Sequence, residues 1–274
     1  MRFVTPVAGH RFIIPSNGDM PPLVFSTDAE GPHDWDWSIS WRNFRKQGHL
    51  KTPGASIDLA PVLTDLGGEL RVIARTGKQR TAIQTSILGT NPTEAEIRTY
   101  LATKTGGTDF LPIVLHEAHG RHFNRKREPI VSFDGGYGMT QLTNPVPNYQ
   151  QIWSWKRNLE GGLALFAVKR NEAIRALRQS GGSYTAHQLT LESVARWNGG
   201  AYHRWDGRNW VRNPDMLCAP GTGNIGWDMT DTANQGQTLQ QLHARDSSRF
   251  HLPPRRGVDH YRYSGVCYAG RLVP

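Results

Sequence analysis

The chain lacks long hydrophobic runs and contains only two cysteines. No stretch of about 18 consecutive apolar residues occurs in its 274 residues, so we expect no membrane-spanning helix. Residues 1–20 also lack the continuous apolar core of a secretory signal, so we expect export by a dedicated route rather than by a Sec signal. Cys218 and Cys267 are compatible with one disulfide or with two buried thiols, and the sequence favours neither.

Acidic residues are also in deficit. The 32 Lys and Arg residues outnumber the 23 Asp and Glu residues, which gives a formal net charge of +9. This charge suits an anionic partner such as a cell-wall polymer. The basic residues are scattered, with short clusters only at residues 121–127 and 255–256, so a nucleic-acid-binding arm is not expected. Phosphate-binding loops, dinucleotide fingerprints and serine-nucleophile elbows are missing, and we expect no cofactor.

Residues 1–90 have the pattern of a β domain. Residues 35–41 alternate Trp and Ile with Asp and Ser, which is the period-two pattern of a strand. Residues 69–75 and 81–88 alternate in the same way, and Gly and Pro pairs separate these runs. We therefore predict a small immunoglobulin-like β-sandwich. Its Trp stripe is interpreted as sandwich core in preference to a carbohydrate-binding face.

Residues 91–274 are predicted to form a second, mainly helical domain. Asn91 has the chemistry of a helix cap, and Asp109 is expected to cap the following helix. Residues 159–177 show the apolar stripe of a long amphipathic helix. Residues 208–226 are predicted as loop and the last thirty residues as irregular, with one more helix at 235–245. The predicted fold class is therefore α+β, with a domain boundary near residue 90.

Residues 111–145 carry the most distinctive chemistry. Glu117 lies in an apolar helical run and is followed by a basic segment and a glycine-rich turn. A carboxyl half-buried in apolar surroundings tends to stay protonated near neutral pH, as a general acid requires. A solvated helix glutamate is the ordinary alternative.

The order of three motifs resembles the lysozyme-like superfamily. They are the helix-borne acid Glu117, the turn Gly136-Tyr137-Gly138-Met139-Thr140-Gln141-Leu142, and Trp197-Asn198-Gly199-Gly200 at the end of a later helix. Soluble lytic transglycosylases and goose-type lysozymes have such an acid, a Gly-Leu-Met-Gln turn and a Tyr-Asn-Gly helix end. This sequence departs at each motif, through Ala118 after the acid, Thr140 in the turn and Trp197 before Asn198. The resemblance covers about residues 109–206.

The resemblance implies that Glu117 protonates the glycosidic oxygen between N-acetylmuramic acid and N-acetylglucosamine. Inverting hydrolysis also needs a base, for which Asp134 is the candidate and Glu128 a weaker one. A lytic transglycosylase needs no such base, because the C6 hydroxyl of the sugar attacks and leaves a 1,6-anhydro end. Asp134-Gly135 is equally well interpreted as a simple turn pair.

Further residues are implied to bind substrate, each with an ordinary structural alternative. Glycines allow close approach of a sugar, Asn-Gly is also a good helix end, and aromatic rings also fill cores. The predicted substrate-binding residues are Gly138, Met139, Gln141, Trp197, Asn198 and Tyr202, with Trp205 as a further stacking candidate.

The histidines around Glu117 suggest a zinc site as an alternative to the general-acid role. A metalloprotease helix needs a second His four residues after the first, but Gly120 follows His116 at that spacing. His119 and His122 are able to reach one ion, yet a third ligand is not evident. We therefore expect no metal site.

The resemblance implies a muramidase or lytic transglycosylase that acts on peptidoglycan in the periplasm. Without a signal peptide, delivery by a phage tail or by a secretion machine as an antibacterial effector is expected. The β domain would then dock to that machine or tail, and a small immunity protein would block the Glu117 cleft. The rival from another class is a non-catalytic glycan-binding or structural tail protein, which the presence of Glu117 disfavours. Chitin cleavage is a further alternative.

Overall fold

The computed structural model describes residues 1–179 and 181–274 and has a mixed α/β fold. The chain forms two compact units, Met1–Gly162 and Leu163–Pro274. Within the described residues, no helix is both long enough and apolar enough to cross a membrane.

The first unit begins with eight strands in two sheets. The strands are β1 (Phe3–Thr5), β2 (Arg11–Ile14), β3 (Val24–Thr27), β4 (His33–Trp41), β5 (Phe44–Thr52), β6 (Ser56–Asp58), β7 (Gly68–Thr76) and β8 (Gln79–Gly89). One sheet has the order β1-β3-β6 and the other β2-β8-β7-β4-β5. Only the β2–β8 pair is parallel among these strands. The three strands predicted from alternation are confirmed as β4, β7 and β8.

The two sheets share one hydrophobic core. Phe25 of β3, Trp35 of β4 and Leu70 of β7 are all buried in the same cluster. In β4 the odd-numbered side chains face this core, and Trp35 and Trp41 are buried while Trp37 is half-buried. The ring of Trp37 lies so close to Gly48 that a β-carbon there would be 2.5 Å away. The interpretation of the Trp stripe as core is confirmed.

Three helices and the start of a fourth complete the first unit. They are α1 (Glu94–Ala102), α2 (Gly107–Glu117), α3 (Tyr149–Trp153) and α4 (Trp155–Arg178), which continues beyond residue 162. Thr93 caps α1 and forms a reciprocal capping box with Glu96, so the prediction of Asn91 as the cap is wrong. Gly106 precedes α2 with a left-handed φ of 77°, and the predicted cap Asp109 lies inside the first turn.

The core of the sandwich continues into residues beyond 90. Trp153 of α3 is fully buried and packs edge-on against Trp41, with ring centroids 5.8 Å apart. Its ring also covers Gly67, where a β-carbon would lie 2.1 Å from Trp153. The Tyr149 hydroxyl donates a hydrogen bond to the Gly67 carbonyl at 2.7 Å. The predicted boundary near residue 90 therefore does not coincide with the division at residues 162 and 163, because these aromatic rings belong to the sandwich core.

The second unit combines helices with short strands. After α4 come α5 (Ala186–Trp197), β9 (His203–Trp205), β10 (Trp210–Arg212), β11 (Met216–Cys218), β12 (Ile225–Asp228), α6 (Leu239–Asp246), a 3-10 helix (Ser247–Arg249), β13 (Tyr261–Tyr263) and α7 (Gly265–Leu272). Strands β9 and β10 pair as a hairpin, and β11-β12-β13 form an antiparallel sheet.

Several predictions for this unit need correction. The predicted loop at residues 208–226 contains β10, β11 and the start of β12, and the last thirty residues contain β13 and α7. The predicted helix at 235–245 is present as α6, shifted to later residues. Cys218 and Cys267 form a disulfide that joins β11 to α7. Prediction from apolar spacing fails here because these strands have only three or four residues each, which is too short to show a period of two.

Within the described residues, capping boxes are found at the starts of α1, α3, α5 and α6. In each, the cap side chain accepts from the backbone N–H of the third helical residue, and that residue's side chain accepts from the backbone N–H of the cap. The cap and third-residue partners are Thr93 with Glu96, Asn148 with Gln151, Thr185 with Gln188, and Thr238 with Gln241. These bonds satisfy N–H groups that have no partner within the helix. They start α1, α3, α5 and α6 at defined residues.

We expect Trp153→Ala to lower the free energy of unfolding of the first unit by about 3–5 kcal/mol, because it leaves a large cavity in the shared core. Trp153→Phe is the matched control: it keeps an aromatic ring and removes an indole nitrogen that has no hydrogen-bond partner within the described residues. We expect it to cost less than half as much. Urea unfolding followed by circular dichroism measures both values. A loss below about 1 kcal/mol for Trp153→Ala would contradict a shared core.

Candidate active site

Glu117 is the last residue of α2. Ile113 and Val114 on this helix are buried, while Glu117 itself is half-buried. The prediction that the acid ends an apolar helix is confirmed. The helix places one carboxyl at the point where the chain leaves regular structure, which is where reacting groups are often carried.

The Asn91 side chain forms hydrogen bonds with the backbone of the segment that follows Glu117. Its side-chain oxygen accepts hydrogen bonds from the backbone N–H groups of His122 and Phe123, both at 2.7 Å. Its side-chain nitrogen donates to the Phe123 carbonyl at 2.9 Å. Asn91 therefore fixes the segment that follows the acid, in place of the helix-capping role predicted for it.

His122 is a fully buried, neutral histidine. Its Nε2–H donates to the Ile152 carbonyl at 2.8 Å, so Nδ1 is left as an acceptor for the Met139 backbone N–H at 3.3 Å. Burial lowers the pKa of His122 from 6.5 to about 4, because the charged imidazolium would lose its hydration. Both ring nitrogens are occupied, so His122 is not available as the zinc ligand that the sequence raised as a minor alternative.

His119, the other histidine of that alternative, is exposed. Within the described residues, no group of three or more His, Cys, Asp or Glu side chains is arranged to hold a metal ion.

Asn158 of α4 holds the glycine turn, which we define as residues 136–142. Its side-chain oxygen accepts from the Thr140 N–H at 3.0 Å and from the Thr140 hydroxyl at 2.8 Å. Its side-chain nitrogen donates to the Tyr137 carbonyl at 3.0 Å. His122 and Asn158 together fix the backbone of this turn from the interior.

Two of the predicted substrate-binding residues in the glycine turn are interior residues. Met139 has no exposed surface and packs in the core. Gly138 has φ of 70°, and a β-carbon on it would lie 2.5 Å from His122 and 2.7 Å from Asn158. Packing against these two interior side chains already requires a glycine at position 138, and contact of Gly138 and Met139 with substrate stays a prediction.

Gln141 remains accessible at the edge of the glycine turn. It is half-buried, with φ of 51°, and its side-chain nitrogen donates to the Gly138 carbonyl at 2.5 Å. The bond leaves its side-chain oxygen as a further acceptor. Gln141 is therefore placed to close the turn and to meet a ligand.

Asp134 lies in a tight turn just before the glycine turn. It is exposed, and its carboxylate accepts a hydrogen bond from the Ser132 hydroxyl. Gly135 has φ of 84° and its N–H donates to the Ser132 carbonyl at 3.2 Å. These bonds match the turn interpretation. The neighbouring Phe133 is 83% exposed.

In the second unit, α5 ends at Trp197 and Asn198 is its C-terminal cap, as predicted. Gly199 follows with φ of 78°, and the Gly200 N–H bonds back to the Ala195 carbonyl at 3.0 Å. The side-chain nitrogen of Asn198 is buried and has no hydrogen-bond partner within the described residues. A buried amide without a partner is uncommon in folded proteins.

Glu192 of α5 positions Tyr202. Its buried carboxylate accepts from the backbone N–H groups of Tyr202 at 2.9 Å and His203 at 3.0 Å, and it pairs with Arg196 at 2.8 Å. Burial alone would raise the pKa of Glu192, but the hydrogen bonds from His203 and the charge of Arg196 hold it below its usual value. The backbone that carries Tyr202 is thus bonded to an ionised carboxylate.

The two remaining aromatic candidates have different surroundings. Tyr202 is half-buried and packs against Met216, Val266 and the Cys267 region. Trp205 packs edge-on against Trp210 with centroids 5.4 Å apart, and it covers Gly182. Trp205 therefore fits the core alternative, whereas Tyr202 faces a cleft.

Sequence reasoning missed His122, Asn158 and Glu192 as the residues that hold these segments. Asn158 falls on the same helical stripe as the buried residues Trp155, Leu159 and Phe166. A polar side chain on an apolar stripe is the signal that identifies such a residue, because a buried polar group needs partners.

Comparison of the sequence with protein-family models and curated proteins identified no relative. No protein-family model matches the chain, and no curated protein is significantly similar to it.

We expect His122 to make the first unit acid-sensitive. The pKa of His122 is lower in the folded chain than in the unfolded chain, so the unfolded chain binds the proton first as the pH drops. The free energy of unfolding therefore has its full value above pH 6.5 and falls as the pH drops towards 4. Chemical denaturation of the native protein between pH 7 and pH 4 should show about 3 kcal/mol more loss than the same series on His122→Gln. Equal losses in the two proteins would contradict a buried neutral imidazole.

Proposed function

We propose that the protein cleaves the glycan strands of peptidoglycan at the β-1,4 bond between N-acetylmuramic acid and N-acetylglucosamine. Glu117 is the proposed general acid, which protonates the glycosidic oxygen while the bond from that oxygen to C1 breaks. In the hydrolytic reaction water then adds to C1 and its second proton leaves to a base. This is the muramidase reaction implied by the lysozyme-like resemblance.

One observation carries this proposal. The chain runs from Glu117, at the end of α2, through His122, whose ring bonds to Met139 in the glycine turn. The acid and the glycine turn are thereby connected through five residues and one buried hydrogen bond. A helix-borne carboxyl that is followed closely along the chain by a turn held through buried hydrogen bonds supports the preorganised arrangement that acid catalysis requires.

Asn198 is proposed to bind the N-acetyl group of the substrate. This role is implied by the lysozyme-like resemblance, and the buried side-chain nitrogen of Asn198 has no hydrogen-bond partner within the described residues. Gln141 supplies an amide that is partly accessible. Trp197 remains a proposed stacking residue at the end of α5.

The placement of Asp134 favours a second candidate, a lytic transglycosylase. Its carboxylate is exposed and bonded to Ser132 within its own turn, which supports a structural role rather than that of a base. In this reaction the C6 hydroxyl of the muramic residue forms the new bond to C1, and its proton returns to Glu117. The product has a 1,6-anhydro end and one water less.

Charge and the disulfide support a site of action outside the cytosol. Exposed Arg121, Arg125, Lys126 and Arg127 form no ion pair among residues 1–179 and 181–274, so they are free to meet an anionic wall. Disulfides persist in oxidising compartments such as the periplasm. We therefore propose delivery to the periplasm as an antibacterial effector or phage-type lytic enzyme, with a small immunity protein as the partner in the case of an effector.

The N-terminal sandwich is proposed to be immunoglobulin-like and to serve as a docking or loading module for the secretion machine or tail. The order β1-β3-β6 opposite β2-β8-β7-β4-β5, with a parallel β2–β8 pair, supports this proposal.

We expect Glu117→Gln to reduce release of soluble fragments from purified peptidoglycan by about 10²–10⁴-fold, because the amide cannot donate the proton. Mass spectrometry of the products distinguishes the two reactions: reducing muramic ends identify hydrolysis, and fragments lighter by one water identify transglycosylation. Glu30→Gln, the same change at an exposed position of the first unit, is the matched control and should retain activity within about twofold. No products from the native protein would refute the enzyme proposal and leave a glycan-binding module.

We expect Asp134→Asn to retain most of its activity, within about threefold, because Asn also favours turns and keeps an acceptor for the Ser132 hydroxyl. Initial rates on the same peptidoglycan measure the effect. A loss of more than about 100-fold in a variant with an unchanged melting temperature would instead make Asp134 the base of a hydrolase.

A further inference from the structure

A second cleft lies within the second unit. It has a volume of about 560 Å³ and is lined by Tyr202, Arg212, Ala219, Val266, Arg271 and the Cys218–Cys267 disulfide. This volume lies within the usual range for small-molecule sites. None of the residues predicted from sequence as catalytic belongs to it, and Tyr202 is its one predicted binding residue.

The charge of this cleft is entirely positive. Arg212 and Arg271 line it, and no acidic residue does. Other arginines of the same unit are paired, such as Arg204 with Asp215 and Arg262 with Asp228. Arg212 instead bonds only to the Asn213 carbonyl and to Cys218 sulfur, and no ion pair involves Arg271 in the part of the chain that the structure describes. Two unneutralised guanidinium groups at one cleft favour an anionic ligand.

The remaining walls suit a sugar ring. Tyr202 offers a flat aromatic surface whose backbone is held by Glu192, and Val266 is apolar. Gly221, with φ of 73°, has no neighbouring atom within 4 Å of where a β-carbon would lie, so its backbone is open to a ligand. An aromatic wall next to exposed backbone amides and guanidinium groups combines stacking with hydrogen bonding.

We propose that this cleft binds a carboxylate-bearing amino sugar. Arg212 and Arg271 hold the carboxylate, and the sugar ring lies against Tyr202. The proposal that this sugar is a peptide-free muramic residue of the wall, whose lactyl carboxyl is not in amide linkage, rests on the proposed function, whereas the binding itself does not. A neutral amino sugar such as N-acetylglucosamine lacks the carboxylate and binds weakly.

The test is a titration of ¹⁵N-labelled protein with N-acetylmuramic acid, N-acetylglucosamine or acetate, followed through the backbone amides of Gly221, Gly223 and Gly270. These glycines line the cleft and report binding without any catalytic turnover. We expect saturable shifts with N-acetylmuramic acid and at least tenfold weaker binding of the other two probes. Equal binding of the two sugars, or equal shifts with acetate, would overturn the proposal.

Variants assign the binding to the two arginines. Arg212→Gln/Arg271→Gln should weaken binding of N-acetylmuramic acid by at least tenfold, and Arg271→Gln alone, at an exposed position, should weaken it measurably if the double variant fails to fold. Arg208→Gln removes the same charge from an exposed loop of this unit and should leave binding unchanged. Unaltered binding in both cleft variants would overturn the assignment.

The result is separable from that of the wall-cleavage experiment. N-acetylmuramic acid binding without cleavage of peptidoglycan would support this cleft and refute the proposed enzyme. Cleavage without such binding would support the enzyme and refute the cleft.

Discussion

The arrangement around the proposed acid depends on one buried histidine. His122 is satisfied only as a neutral ring that donates to Ile152 and accepts from Met139. Together with Asn158, it fixes the backbone of the glycine turn from the protein interior. Gly138 is a glycine because these two side chains occupy the space of a β-carbon. The identity of several residues in the turn therefore follows from packing behind it, and the surface presented to a ligand is set by groups that never reach that surface.

The sequence predicted those parts of the fold in which periodicity extends over many residues. Alternation identified β4, β7 and β8, and an apolar stripe identified α4. The strand β5 was missed because it is a strongly polar edge strand, and β9 to β13 were missed because they are very short. The predicted domain boundary near residue 90 also took no account of Trp153 and Tyr149, which belong to the sandwich core although they follow its last strand by sixty residues. Packing between residues that are far apart in the chain produces no local periodicity from which it could be predicted.

The candidate site shows the same limit. Motif order placed Glu117 at the end of a helix and Asn198 at the cap of another, and both positions agree with the structure. Met139 was assigned to substrate binding because it belongs to a motif, although its side chain is buried. Glu192 was not singled out, because its role depends on backbone N–H groups ten residues away. Local chemistry can be predicted from spacing, whereas the supporting residues are identified only when the partners of a buried polar group are known.

The hydrogen bonds at the starts of α3, α5 and α6 and those of the buried ionisable side chains respond differently to acid. Three of the four use glutamine, at Gln151, Gln188 and Gln241, and glutamine carries no ionisable proton. The starts of α3, α5 and α6 thus keep their reciprocal bonds at any pH, while His122 and Glu192 change their preferred protonation as the medium becomes acidic. Acidification therefore acts on these tertiary contacts and leaves the starts of α3, α5 and α6 intact. The expected acid form is one that keeps helical structure while the support of the glycine turn loosens.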